Sequence, residues 1–198
     1  MNQTSRIHPF VVWSKNRLDE MEAAVLEAEN DANKAEQRVK ADIAATLAKA
    51  KQTRDSFKAT MQASIEELEH KGEGAIKSAK QQLERDWQEF EKTMDAAIVQ
   101  LNNAGKEFEA RAAAQLNSWQ ETIQKCNKVA AGIAVEQKES CNAAIKRMQE
   151  RAQQGKEQFA EVRQAASTSS EGYRRALKKS REAFDEACES AKFAFAKV

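Results

Sequence analysis

The chain has 198 residues, of which 41% are hydrophobic and 32% charged, with one Pro, six Gly and a formal net charge of +1. This composition is typical of long helices and excludes a β-sheet fold, which needs runs of β-branched and aromatic residues between turns. The nearly balanced charge creates no long-range field of one sign, so we expect no nucleic-acid partner.

The amino-terminal region contains one short apolar stretch, from Phe10 to Trp13. It is too short for the core of a signal peptide or for a membrane span, so we expect a cytoplasmic protein. Pro9 fits the first turn of a helix, where its missing N–H group is not needed, and it predicts that the first helix begins there.

From Leu18 onward an apolar residue returns every three or four positions, which is the spacing of one face of an α-helix. The first helix should span 9–70, because His70 and Lys71 place basic groups in a last turn and Gly72 accepts the left-handed cap that follows. A loop is therefore predicted at 71–74.

The second helix is predicted over 75–166. Asn102–Gly105 and Gly132 are candidate interruptions, but the apolar stripe crosses both without losing its phase. A single Gly costs a helix about 1 kcal/mol relative to Ala, which a long packed helix can absorb. Whether Gly105 or Gly132 breaks this helix is left open by the sequence.

A loop rich in serine, 167–172, precedes the third predicted helix, 171–197. Ser169 or Ser170 can cap that helix, because a side-chain oxygen can accept a hydrogen bond from the free N–H groups of the first turn.

These elements predict an all-α fold: one elongated domain, 1–198, built as an antiparallel helical hairpin, a coiled-coil rod or a bundle. If both outer helices fold back on the middle one, the helical rise gives a rod about 135 Å long. The alternative treats Gly132 as a turn and gives three antiparallel helices of about 60 residues, arranged as in a BAR domain. Alanines beside the stripe, such as Ala44, Ala45 and Ala48, widen the apolar face, so we expect a homodimer.

The sequence offers little catalytic chemistry. Its two histidines, His8 and His70, have no neighbours at the spacing of metal ligands, and there is no phosphate-binding glycine loop or nucleophile with a plausible base. We therefore expect no enzyme activity, no cofactor and no metal. Cys126, Cys141 and Cys188 have no C-x-x-C spacing and are predicted to be buried structural thiols.

Two apolar clusters are candidate interaction sites. Phe10 and Trp13 lie at the start of the first helix, and Phe193 and Phe195 lie at the end of the last. In the rod the two clusters would meet and cover each other. Phe193 lies on the opposite side of its helix from Phe195, so it should face a second protomer, another partner or a hydrophobic surface.

A basic run is the third candidate surface. It consists of Arg174, Arg175, Lys178, Lys179 and Arg181 and is followed at once by acidic residues. Ion pairs one helical turn apart, such as Lys178 with Glu182, are the expected structural role. The same cations can also bind phosphates or anionic lipid headgroups.

These features predict a non-catalytic helical scaffold that acts through homo-oligomerisation and through an unknown protein partner. The alternative is a coat that lays amphipathic helices on a lipid or polymer surface, similar in composition and amphipathicity to phasins and apolipoproteins, or a bundle associated with membrane curvature. A scaffold buries its stripe in a cooperative bundle, whereas a coat keeps it loosely packed. Large stripe residues such as Trp87 and Trp119 favour specific packing.

Overall fold

The computed structural model describes residues 8–71, 74, 76–165 and 169–195. Within these ranges the chain forms six helices and no strand, which confirms the predicted all-α class. The helices are α1 (Pro9–Lys34), α2 (Gln37–Lys71), α3 (Ile76–Leu101), α4 (Ala104–Ala131), α5 (Val135–Gln164) and α6 (Ser170–Phe195). In the described part of the chain, none of them combines the length and the hydropathy needed to cross a bilayer.

The predicted first helix, 9–70, is wrong in its continuity, although α1 begins at Pro9 as expected. Its last turn tightens where the N–H of Ala35 donates to the carbonyl of Ala32 at 3.2 Å. The next helix starts where the carbonyl of Glu36 accepts from the N–H of Lys40 at 3.0 Å. No Gly or Pro marks this interruption, so the residue types that punctuate a helix gave no warning of it.

Packing explains why the chain turns at this point. Ion pairs join Lys51 to Glu29 and Lys58 to Glu22, so residues later in α2 meet residues earlier in α1. The two helices are therefore antiparallel. One continuous helix could not bring these charged residues together, and α2 also packs against α3.

The predicted helix 75–166 is also wrong, because it is interrupted twice. At the first interruption Asn102 has a φ of 50°, and the N–H of Asn103 lies 3.4 Å from the carbonyl of Ile98. This is the six-residue closure of a left-handed helix cap, which Asn accepts at less strain than most residues. Gly105 lies inside α4, so the residue that ends α3 is an asparagine.

The second interruption is at Gly132. The N–H groups of Gly132 and Ile133 donate to the carbonyls of Val129 and Ala130, at 3.0 and 3.4 Å, in the tightened turn that ends α4. The turn at Gly132 that the three-helix alternative required is present, whereas the continuous helix that the sequence favoured is not. The alternative is nevertheless wrong in its number of helices in the described residues. The estimated rod length depended on an unbroken middle helix and no longer follows.

The start of the last helix agrees with its predicted cap. The hydroxyl oxygen of Ser169 accepts a hydrogen bond from the N–H of Gly172 at 3.2 Å, and α6 begins at Ser170. Parts of the predicted loops and of the carboxyl terminus lie outside the described residues, namely Gly72, Glu73, 166–168 and 196–198.

The chain divides into two compact units. The first unit is Arg17–Ala114, and the second is Met1–Asn16 together with Gln115–Val198. The division falls inside α1 and inside α4. The single domain expected from the sequence stays a prediction. The largest fully buried apolar side chains of the first unit are Met21, Ile43, Phe57, Leu83, Phe90, Met94 and Phe108, and those of the second are Trp119, Met148, Leu177 and Phe184.

Three helices of the second unit meet closely at Gly155. A Cβ atom at this position would lie 2.7 Å from the Trp119 ring and 3.5 Å from the Cβ of Ser180. The Trp119 ring is fully buried and stacks on Phe184, with centroids 4.8 Å apart and ring planes within 13°. Because that stack holds the indole in place, Gly155 must have no side chain for α5 to approach α4 this closely.

We predict that Gly155→Ala destabilises the protein by about 1–3 kcal/mol, because the added methyl group overpacks the core. The better helix propensity of Ala, worth about 1 kcal/mol, offsets only part of this loss. Gly132→Ala is the control, since its nearest atom would be the Val129 carbonyl oxygen at 3.7 Å, an ordinary contact. Chemical denaturation followed by circular dichroism measures both variants, and equal stability of the two would contradict the packing described at Gly155.

Candidate functional site

The most unusual chemical feature of the first unit is a charge cluster inside its core. The guanidinium of Arg111 on α4 is only 2% exposed and contacts carboxylates from three helices. Its Nε and Nη2 each lie 3.3 Å from Glu20 Oε2, its Nη1 lies 3.0 Å from Glu107 Oε1, and its Nη2 lies 3.1 Å from Glu91 Oε1. We call these four residues the Arg111 cluster.

The aromatic ring of Trp87 completes the surroundings of the Arg111 cluster. The guanidinium carbon of Arg111 lies 5.5 Å from the ring centroid and that of Arg17 lies 5.9 Å from it. Both distances are within the range of cation–π attraction, which is strongest for desolvated cations on Trp. The first unit therefore buries two cations on one indole.

Burial and charge act together on the acid groups of the Arg111 cluster. Burial raises the pKa of Glu107 above its ordinary value; Arg111 opposes the rise, and the carboxylates of Glu20 and Asp95 add to it. Burial alone lowers the pKa of Arg111, but the three carboxylates outweigh it and hold the pKa above the ordinary value. Because folding raises the Glu107 pKa, its contribution to stability is fully present below the unfolded-state pKa and is lost as pH rises through the folded-state value.

A second buried carboxylate connects α1 to the beginning of α4. Asp31 of α1 accepts hydrogen bonds from Lys106 Nζ at 2.9 Å and from Asn103 Nδ2 at 3.1 Å. The hydrogen bond from Lys106 is the main reason that the pKa of Asp31 lies below its ordinary value. In contrast to Glu107, Asp31 stabilises the fold above its unfolded-state pKa and loses that effect as pH falls through its folded-state value.

These polar residues do not belong to the apolar stripe, so the stripe did not predict them. A signal was nevertheless present: Asn103, Glu107 and Arg111 lie one helical turn apart on a second face of the α4 segment. Polar residues that repeat at this spacing, beside a separate apolar stripe, indicate a buried polar seam.

The thiols behave as predicted. Cys126, Cys141 and Cys188 are free and buried, and burial raises the pKa of all three, that of Cys126 to about 12. The Sγ of Cys188 lies 3.7 Å from the Sδ of Met148. Thiols held neutral by burial are poor nucleophiles. Within the described ranges, no three His, Cys, Asp or Glu side chains are grouped closely enough to hold a metal ion.

An open groove of about 500 Å³ runs between α4 and α5 in the second unit. Its apolar residues include Leu116 and Ile123, and its rim is rich in side-chain amides. The lining consists of Leu116, Gln120, Ile123, Gln124, Asn127, Gln149, Ala152, Gln153 and Lys156. Amides both donate and accept hydrogen bonds, so the groove can contact a polar chain without favouring one charge.

The predicted apolar candidates have different environments within the second unit. Phe10 and Phe195 are buried, at 3% and 4% exposure, and the Phe10 ring lies 6.4 Å from that of the half-buried Trp13. Phe193 is 75% exposed. It therefore does not belong to the packed interior that holds Phe10 and Phe195, as its position on the opposite side of the helix implied.

The basic run is split between surface and core. Arg174 pairs with Glu171, and Lys178 lies 3.9 Å from Glu182, which confirms the pair expected one turn apart. Arg175 and Lys179 are exposed as well. Arg181, however, is only 3% exposed, so the surface patch has four of the five predicted cations.

Comparisons with protein-family models, with curated proteins and with solved structures found no match to this chain. Its function must therefore be inferred from the chemistry of the two units.

We predict that Arg111→Met destabilises the protein by about 3–5 kcal/mol, because it leaves buried carboxylates without their cation. Lys58→Met is the control within the same unit, since it removes an exposed ion pair with Glu22 and should change stability by less than about 1 kcal/mol. Urea denaturation measures both changes. Similar small effects in the two variants would show that Arg111 is solvated in solution.

Proposed function

We propose that the protein is a non-catalytic helical scaffold that associates with copies of itself and binds a protein partner. One observation carries the proposal: the apolar stripe is packed within the chain. Of the large hydrophobic side chains in the described residues, the exposed ones are Leu26, Val99 and Phe193. A chain that already covers its apolar faces can keep its fold when it binds, and its exposed charges can select a protein partner of complementary charge.

The interior of the first unit argues against the coat alternative. Spreading its helices on a lipid or polymer surface would separate Arg111 from Glu20 and Glu91, which lie on other helices. Breaking a buried ion cluster costs about 3–5 kcal/mol, and this cost opposes opening. Trp119 and Phe184 would likewise lose their stack in the second unit.

Two surfaces of the second unit support a role in binding. The groove between α4 and α5 has an amide-rich rim with Leu116 and Ile123 among its lining residues. The carboxyl-terminal end of α6 exposes Phe193, an aromatic side chain of the kind enriched in protein interfaces. A scaffold uses such surfaces without unfolding. A coat would use Phe193 to enter a hydrophobic surface.

The neighbouring residues Phe193 and Phe195 separate the two functions. We predict that Phe195→Ser destabilises the protein by about 3 kcal/mol or more, because a buried aromatic ring is lost. Phe193→Ser should leave the melting temperature unchanged and reduce self-association measured by sedimentation. The same two variants are tested for partition onto phosphatidylcholine liposomes and polymer particles. Strong partition of the wild-type protein that Phe193→Ser abolishes would contradict the scaffold and support the coat.

A further inference from the structure

The outward side of α6 is one continuous exposed face. At 100° per residue its members project within a strip about one third of the helix circumference wide. We call this strip the α6 outer face. It consists of Glu171, Arg175, Lys178, Lys179, Glu182, Glu186, Glu189, Ser190 and Phe193, all exposed.

Charge is not evenly distributed along the α6 outer face. After Glu171, the first half carries Arg175, Lys178 and Lys179, and the second half carries only acidic charged residues and ends at Phe193. An ion pair between the halves, Lys178 with Glu182, spans 3.9 Å and joins side chains that are mostly exposed. The face is thus a basic segment, an acidic segment and a terminal aromatic residue.

We propose that the α6 outer face binds the same face of a second copy, with the two helices antiparallel. This inference rests on the self-association in the proposed function and names its surface. In a two-fold pair the same patch serves both copies, so the patch must be complementary to itself. A face that is basic in one half and acidic in the other meets this requirement when it is reversed.

The register of the pair follows from the residue numbers. If the two-fold axis passes near Glu182, Arg175 of one copy lies opposite Glu189 of the other, since both are seven residues from the axis. Lys178 then lies opposite Glu186, four residues from the axis. Symmetry repeats each contact. The two copies of Glu182 meet at the centre, where Lys178 of the same helix lies 3.9 Å away and neutralises each of them.

The same register also determines what Phe193 contacts in the other copy. It lies eleven residues from the axis, so it meets the first turn of α6 in the other copy at Glu171, which is also eleven residues from the axis. Phe193 is exposed in the single chain. In the dimer, the Phe193 ring of each copy would contact the other copy.

The charge pattern favours a second copy over other partners. An anionic membrane or a nucleic acid attracts the basic half but repels Glu186 and Glu189, which continue the same face. Exposed ion pairs are individually weak and are screened by salt. The predicted dimer is therefore weak and dissociates further as ionic strength rises.

Charge reversal in the full-length protein tests the proposal. An acidic variant combines Arg175→Glu, Lys178→Glu and Lys179→Glu, and a basic variant combines Glu186→Lys and Glu189→Lys. Each variant alone should weaken self-association by about tenfold or more, because like charges now face each other across the axis. An equimolar mixture of the two should associate again, and so should the chain that carries all five substitutions.

Sedimentation velocity over a concentration series, at low and high salt, measures these outcomes. The control reverses Lys146 and Arg147, which are exposed on α5, and should leave association unchanged. Circular dichroism verifies that every variant is folded. A dimer that tolerates both reversals, or a mixture that stays monomeric, overturns the α6 interface but not self-association. A wild-type chain that is monomeric at every concentration overturns both.

Discussion

Moving a guanidinium group out of water is unfavourable by several kcal/mol unless carboxylates surround it with good geometry. Arg111 meets this condition only because α1, α3 and α4 each supply a carboxylate, from Glu20, Glu91 and Glu107. The positions of three helices in the first unit are thereby tied to one side chain. An apolar core tolerates small shifts of its helices, whereas the Arg111 cluster loses hydrogen bonds when any of the three moves.

In the second unit, close packing of side chains fixes the positions of the helices, in place of a buried charge cluster. Gly155 admits the Trp119 ring, and Phe184 stacks on that ring. Apart from the buried Arg181, this unit carries charges on exposed faces such as that of α6. Because the large apolar side chains are mostly buried within each unit, we expect any recognition of a partner to depend on charged surface patterns and on a few exposed apolar residues. This is the physical basis for preferring a scaffold to a coat.

The sequence predicted what depends on local signals. Helical periodicity gave the fold class, Pro9 gave the start of α1, Ser169 gave the cap of α6, and the stripe gave the burial of the cysteines. The sequence did not predict the helix interruptions that depend on tertiary packing. Ala35 and Glu36 carry no turn signal, yet the chain folds back there so that Lys51 of α2 pairs with Glu29 of α1. Asn102 was visible as a candidate, but the unbroken phase of the stripe argued wrongly for a continuous helix.

The candidate sites also divide into those that local sequence signals predict and those that depend on tertiary packing. Phe193 was identified from its angle to Phe195 on a helical wheel, which needs only the sequence. The Arg111 cluster joins residues up to 91 positions apart in the chain, and no local pattern pairs Glu20 with Arg111. The repeat of polar residues in and beside α4 pointed to a buried seam but could not name its partners.

A double-mutant cycle between Arg111 and Glu20 tests most directly whether α1 and α4 pack together around the buried Arg111 cluster. Arg111→Met, Glu20→Gln and the double variant are compared with the wild type by their free energies of unfolding. Residues in direct contact within a buried network should show a coupling of about 1–3 kcal/mol. A coupling near zero would mean that α1 does not pack against α4 in solution, and the closed scaffold would be contradicted.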